Sequence, residues 1–387
     1  MSTTPNPAQS SRQEAERHIR SFWTRLTEGF ELEQLWGQFL SEAKTSYGLY
    51  SKDVDWDAIH SEEKKWKRPF LAAWALFQAL LMKLSPARRV LLLIAVVLLV
   101  FQPQMSWNHV EINLGGLGAL ILFLLLALEL ADRVTMKRDL EIAREIQQWL
   151  VPDRAPYVAG LDIAFATRPQ NTVAGDYYDA FLRSLPDSTG TRRLLIVVAD
   201  VAGKSVPAAL LMATFQASLR SLAATSASLK EIVVGLDRYA RAHSLEGRRF
   251  TTAFLAEIHP ETHEMEYVNA GHNDPVLRRA SGKIERLSVG GVPFGVPSFT
   301  ENELPYPTGK AQLEPGDLLF IFTDGVVEAE GEHQEEFGES RLLSCLQSGP
   351  PESAADTLKR VMTEVNSFVG YVRQHDDITC LVLRCAP

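Results

Sequence analysis

Hydrophobic and polar positions divide this chain into three regimes. The first twenty positions are rich in Ser, Pro and Gln, carry no apolar run, and read as a disordered arm rather than a signal peptide. Over 21–69, Trp23, Trp36, Trp56 and Trp66 recur at loose helical intervals among many charges, which predicts short amphipathic helices resting on a membrane face. Two apolar runs follow. Positions 90–101 hold no polar residue, and 112–130 hold one charge, Glu129. A bilayer core of about 30 Å takes about 20 apolar residues in a helix, so both runs are narrowly long enough. Lys83, Arg88 and Arg89 precede the first run, Arg133, Lys137 and Arg138 follow the second, and 102–113 contains neither Lys nor Arg. This asymmetry predicts a transmembrane hairpin over 86–131, with Trp107 at an interface and both long ends cytoplasmic. A buried helical hairpin in a soluble protein is the alternative that runs of this length leave open. The shorter run 70–82, interrupted by Gln78, reads as interfacial or buried.

Over 131–150 charges alternate with Leu140, Ala143, Ile146, Gln147 and Leu150, which share one helix face; Pro152 ends the helix. The spacing predicts a linker helix along which two copies of the chain could pair. Beyond Leu161 the pattern becomes mixed. LLIVVA (194–199) and LLFIF (318–322) read as buried strands. A helix is expected over 207–222, with Pro207 at its start, and a second from the capping box Ser228–Glu231 to about Ala242. Strands over 251–258 and 265–270 flank a polar turn, 353–369 is helical, and 378–383 closes as a strand. The order of elements suggests sheet layers covered by helices, an α/β (α+β) domain rather than a βαβ repeat. The expected organisation is a helical region of unknown role over 1–85, the hairpin over 86–131, the linker over 132–152, and a catalytic domain over 153–387.

The formal net charge of −9 excludes non-specific nucleic-acid binding, which depends on Lys and Arg neutralising phosphates. Three cysteines, Cys345, Cys380 and Cys385, form no C-x-x-C pair; Cys380 and Cys385 read as core or strand-end residues in a reducing compartment.

Four acidic sites stand at strand ends or tight turns: Asp176 in AGDYYD, Asp200 after LLIVVA, Asp324 after LLFIF, and the pair Asp376–Asp377 before ITCLVL. Singly, each is an ordinary turn or cap residue. Together at one place they would repel each other, and divalent cations would remove that repulsion. Carboxylates with water suit Mg²⁺ or Mn²⁺, and two such ions can activate a shared water against a phosphoryl group.

The stretches AREIQQWLVP, PQNTVAGDYYDAF, VVADVAGKSVPAALLM, FTTAFLAEI, MEYVNAGHNDPVL, GGVPFGV, LEPGDLLFIFTDGVVEAEG, FGESRL and HDDITCLVLR occur in this order over roughly 140–385. They resemble the SpoIIE/RsbU-type branch of the PPM metal-dependent protein serine/threonine phosphatases. The resemblance implies a PPM-type sandwich of two antiparallel sheets flanked by helices. It further implies two divalent cations, Mn²⁺ or Mg²⁺. Asp200 would bridge them with the Val201 carbonyl as a further ligand, Asp324 and Asp376 would be the ligands completing the coordination of the second metal, and Asp377 would share or orient that role. Asp176 would hold the water, giving Asp176 and Asp200 the catalytic roles. Substrates in this branch are phosphorylated regulatory proteins, often anti-sigma-factor antagonists. The expected protein is thus a phosphatase at the cytoplasmic membrane, with its catalytic domain in the cytoplasm. Two positions depart from the family pattern. Ala174 replaces the first Gly of Gly-Gly-Asp, and Ser205 replaces the last Gly of Gly-Lys-Gly. Ser205 would be strained if its backbone were left-handed.

Arg168 could meet phosphate or form a surface salt bridge. His272 could act as an acid or phosphate neighbour, or be a hydrogen-bonded turn histidine. Lys204 is a further candidate for the substrate side. Asn269 and Glu328 read as loop-fixing residues. Gly203-Lys204-Ser205 mimics the end of a P-loop, but the required earlier Gly is Val198. The remaining alternative is a catalytically inactive scaffold with the same fold.

Overall fold

The computed structural model describes residue 59 and residues 67–107, 110–185, 192–244, 249–296, 306–348, 353–372 and 374–386. The expectations for Trp23, Trp36, Trp56, Trp66 and the Trp107 side chain lie outside the described residues. The chain divides into two compact units, Met1–Asp132 and Arg133–Pro387.

In the first unit, α1 (Arg68–Lys83) and α2 (Pro86–Phe101) precede a two-stranded hairpin, β1 (Gln104–Trp107) and β2 (Val110–Asn113), and the start of α3 (Gly115–Leu150). Gly118 lets α3 approach α2 closely: a Cβ there would lie 2.9 Å from the Ala95 carbonyl oxygen. Arg88 of α2 pairs with Asp132 at 2.6 Å and Glu129 at 3.4 Å. Among the described residues no helix is long and apolar enough to cross a membrane, which corrects the spanning hairpin expected over 86–131. Helix α2 has 16 residues, about 24 Å at 1.5 Å per residue, against a core of about 30 Å. The apolar part of α3 breaks at Glu129, which is tied to Arg88.

The second unit is a two-sheet sandwich. The first sheet has the order β10-β7-β6-β5-β4, with β11 also on β7; the second has the order β3-β13-β12-β8-β9. Its strands are β3 (Leu161–Arg168), β4 (Tyr177–Ser184), β5 (Arg192–Val201), β6 (Thr251–Ile258), β7 (Glu264–Ala270), β8 (Val276–Arg278), β9 (Ile284–Arg286), β10 (Gly290–Gly291), β11 (Gly309–Gln312), β12 (Leu318–Phe322) and β13 (Ile378–Cys385). Neighbours are antiparallel except β10 with β7.

Period-two alternation explains why the middle of β5, residues 194–199, is apolar without interruption. Leu194, Ile196 and Val198 point into the inter-sheet core with Leu319, Ile321, Leu381 and Leu383. Leu195, Val197 and Ala199 point outward under α4 (Ser205–Thr225) and α5 (Leu229–Ala242), against Met212, Phe215, Leu219 and Ile232. A strand covered on both faces needs no polar side. On the far side, α6 (Gly338–Gln347) and α7 (Ala354–Val369) cover Phe320, Phe322, Cys380 and Val382. The expected capping box opens α5: Ser228 Oγ accepts Glu231 N–H at 3.3 Å, and the Glu231 carboxylate accepts Ala227 N–H at 2.8 Å. Helix α4 is fixed to β4 by a bidentate ion pair, Arg220 donating to both Asp179 oxygens at 2.8 Å. Asp179 is fully buried, and its carboxyl is pushed up by burial while Tyr177 and Arg220 oppose the shift.

The α3 stripe along which two copies could pair is only partly free. Leu140, Ala143, Gln147 and Leu150 are half-buried within this unit, whereas Ile142, Ile146 and Trp149 are exposed. Helix α4 begins two residues before Pro207, at Ser205, whose φ is +64°. The Gly-to-Ser departure therefore falls on a left-handed backbone, where a side chain costs about 1–2 kcal/mol. Ala174 has no positive φ and tolerates its methyl. Ser205→Gly is expected to stabilise the protein by about 0.5–1 kcal/mol, relief of strain exceeding the added unfolded-state entropy. A rise in the denaturant midpoint at unchanged m-value checks this.

Candidate metal centre

The alternation that fills the core also aims the acids. Tyr178 and Ala180 of β4, and Ile196 and Val198 of β5, face the other sheet, so Asp176 and Asp200 continue on that side. The β4–β5 register pairs Tyr177 with Ala199, so the next step brings Asp176 opposite Asp200. In the second sheet Leu319 and Ile321 face inward, as do Leu381 and Leu383, and the same parity turns Thr323, Thr379 and Asp377 toward the first sheet.

Two glycines let the loops close up. A Cβ on Gly325 would lie 2.0 Å from the Asp377 carbonyl oxygen, so the turn carrying Asp324 rests directly on the loop carrying Asp376 and Asp377. A Cβ on Gly175 would lie 3.3 Å from the Val201 carbonyl oxygen and 3.2 Å from the Ala208 Cβ, so the Asp176 loop sits against the end of β5. The Val201 carbonyl therefore faces the acidic loop, while its side chain is core.

The charges of all five aspartates meet. Asp176 is pushed well above the carboxylate range by burial, then by Asp200 and Asp377; hydrogen bonds from Thr379 and Thr323 oppose this, the Thr323 hydroxyl lying 2.9 Å away. Asp200 is pushed up to about 7 by burial, then by Asp324 and Asp376, with a hydrogen bond to Asp176 pulling the other way. Asp324 is raised by burial and then by Asp376. Asp377 is raised by burial although it accepts N–H bonds from Gln170 and Gly175, each at 2.6 Å. These two bonds distinguish the adjacent acids. Both Asp377 oxygens hold loop amides. Asp376 faces outward, paired with Lys204 at 2.9 Å and accepting the Asp377 N–H at 2.9 Å.

Among the described residues, no three His, Cys, Asp or Glu side chains stand as a ready cage for a metal ion. The donors nonetheless suit a hard divalent cation: carboxylates with an adjacent carbonyl, all oxygen, with Lys204 the nearby cation paired to one of them.

A cavity of about 120 Å³ opens beside Asp376, lined by Arg168, Lys204, Glu328, Gln374 and His375. Lys204 also donates to the His375 carbonyl at 2.6 Å. Arg168 donates to Gln374 and Asn366 at this opening, and among the described residues it forms no salt bridge. Glu328 is raised by burial and then by Asp324. His272 is buried, and burial lowers it to about 4, so it is neutral at pH 7. Its Nδ1 lies 3.1 Å from the Thr252 hydroxyl, and its backbone N–H donates to Asn269 Oδ1 at 2.7 Å, which makes it a framework residue of the turn. A larger hollow of about 430 Å³ along β7 and β11 shares no residue with the acids. Motif reading does not single out Thr323 and Thr379; strand parity next to LLFIF and ITCLVL is the signal that finds them.

The raised carboxyls set a pH dependence. Unfolded aspartates lose their protons near pH 4. The folded, metal-free cluster keeps some of them to about pH 7. Its contribution to stability is thus full below pH 4 and is lost as pH rises through 7. In EDTA the unfolding temperature should fall between pH 5.5 and pH 8, and Mn²⁺ should restore it more strongly at pH 8. Calorimetry with and without metal checks both.

Comparison with known proteins supports the same reading. Phosphoserine phosphatase RsbU of Bacillus subtilis is 27% identical over 250 residues, covering 64% of this chain and 70% of RsbU. Protein IcfG of Synechocystis sp. is 27% identical over 286 residues, 67% of this chain but only 43% of IcfG. The solved SiaA-PP2C domain of Pseudomonas aeruginosa, 22% identical, covers 66% of this chain and 98% of that domain with a TM-score of 0.56, which shows a shared fold. Residues 190–386, just over half the chain, match the Stage II sporulation protein E (SpoIIE) family model, and the chain belongs to that family, with a PP2C-type phosphatase domain.

Proposed function

We propose that this protein is a serine/threonine phosphatase that hydrolyses phosphoserine or phosphothreonine on a phosphorylated regulatory protein, such as an anti-sigma-factor antagonist. The observation that carries this is the meeting of Asp176, Asp200, Asp324 and Asp376, from separate segments, beside a cleft lined by Arg168 and Lys204. PP2C-type phosphatases are metal-dependent, and divalent cations such as Mn²⁺ or Mg²⁺ supply water activation and phosphoryl-charge neutralisation when bound. Asp200, Asp324, Asp376 and the Val201 carbonyl are the groups that would hold them. Asp176 is steadied by Thr323 and orients the attacking water. Asp377 keeps Gln170 and Gly175 in place. Arg168 and Lys204 present cations to the entering phosphate. Cys380 is buried with its thiol pushed up by burial, so it is not an available nucleophile. Direct attack by an activated water is the favoured route, and trapping a covalent phosphoenzyme would overturn it.

Support for a membrane location comes from the first unit. Large apolar side chains on α2 and α3, among them Val97, Val100, Phe101, Phe123 and Leu126, are exposed. They suit burial in the apolar layer of a membrane, with Lys83, Arg88 and Arg89 at its cytoplasmic edge. The exposed Ile142, Ile146 and Trp149 are the residues through which two copies would pair.

Asp200→Asn and Asp324→Asn should each lower Mn²⁺-dependent turnover of a phosphopeptide by more than the roughly 10–100-fold typical of outer-shell changes. Phosphopeptide binding without turnover by the unmodified chain would identify a scaffold instead. For location, the chain should sediment with membranes, and deleting 1–131 should release it; a soluble full chain would refute the tether. Light scattering with Trp149→Glu tests the pairing, since loss of a dimer is expected.

A further inference from the structure

The loop carrying Asp176 is held from three sides. Asp377 accepts Gly175 N–H, and Thr323 donates to Asp176. The third hold comes from a helix. The Gln147 side-chain amide of α3 donates from Nε2 to the Ala174 carbonyl at 2.7 Å, and its Oε1 accepts the Ala174 N–H at 2.9 Å. The carboxamide thus pairs with both backbone groups of one residue, as a neighbouring strand would. Ala174 is buried two residues before Asp176, so a lost bond leaves a backbone group that only water entering the neighbouring cavity could satisfy. Glu has no donor at neutral pH, and an apolar residue offers neither bond. A cavity of about 110 Å³ lies beside this clamp, lined by Arg144, Gln147, Ala174, Asp176 and Met212. The surroundings therefore leave the loop room to shift when the clamp is released.

We infer that Gln147 is a positioning residue for the phosphatase reaction: its two hydrogen bonds to Ala174 fix the loop that sets Asp176 opposite Asp200. The inference rests on the phosphatase reading for its catalytic consequence and on geometry alone for the clamp. Residues 133–150 thereby belong to the active-site scaffold and not merely to a connection. A displacement of this helical segment by about 1 Å stretches both bonds beyond normal length and frees the loop.

The test uses the full chain with Gln147→Met, which preserves length but removes both bonds, and Gln147→Glu, which keeps only the acceptor. The readouts are amide hydrogen exchange and Mn²⁺-dependent turnover of an aryl phosphate. In Gln147→Met, exchange over 172–177 should accelerate about 10-fold or more while the strands stay protected. kcat should fall about 10-fold or more with KM little changed. Gln147→Glu should fall between this variant and the unmodified chain. Unaltered exchange over 172–177 would overturn the clamp. Faster local exchange with unchanged kcat, or a kcat loss accompanied by faster exchange throughout the domain, would overturn the positioning role. Absence of turnover in the unmodified chain would count against the phosphatase reading, and the exchange measurement would still decide the clamp.

Discussion

Mutual repulsion among carboxylates at one end of a β-sandwich is the constraint around which this catalytic unit is organised. Five aspartates whose pairwise energies rise on approach are gathered at the mouth of a low-dielectric core. Folding alone gives them little return. Protons, Lys204 and backbone amides carry part of the charge, and each does so at a different residue. Such an assembly persists because the strands that bear it are stabilised elsewhere, by apolar side chains buried on both faces of β5, β12 and β13.

Much of this was legible in the sequence, and for physical reasons. LLIVVA and LLFIF are uninterrupted because helices and a second sheet cover both faces, and a charge directly after such a strand must lie at the edge of the core. Ser228 with Glu231, and Ser353 before α7, announce helix starts through side-chain bonds that form locally. The left-handed Ser205 was also foreseeable, since the position it occupies is one where glycine is usual. The strands β3 and β4 were harder to read. Their inward and outward residues are divided between two cores and mixed with Asp179 and Arg183, whose partners Arg220 and Glu257 are distant in sequence.

One expectation is corrected and another is refined, both for instructive reasons. Apolar runs of borderline length cannot reveal where a helix stops, and here a short hairpin at 104–113 and the pairing of Arg88 with Glu129 and Asp132 shorten both runs. In the linker, a half-apolar stripe suggests a second copy, yet period alone does not name the partner. Gln147 is the discordant residue on that stripe. A polar side chain on a covered face demands specific partners, and in this protein they are the N–H and carbonyl of Ala174.

Gly325 leaves no space between the Asp324 turn and the backbone of Asp377. Donors from β12 and β13 are consequently one rigid jaw. Those from β4 and β5, joined by their ladder, form the opposite jaw. The distance between the jaws follows the separation of the two sheets, so Leu319, Ile196 and Leu381, deep in the sandwich, help set how closely the two groups of carboxylates approach each other.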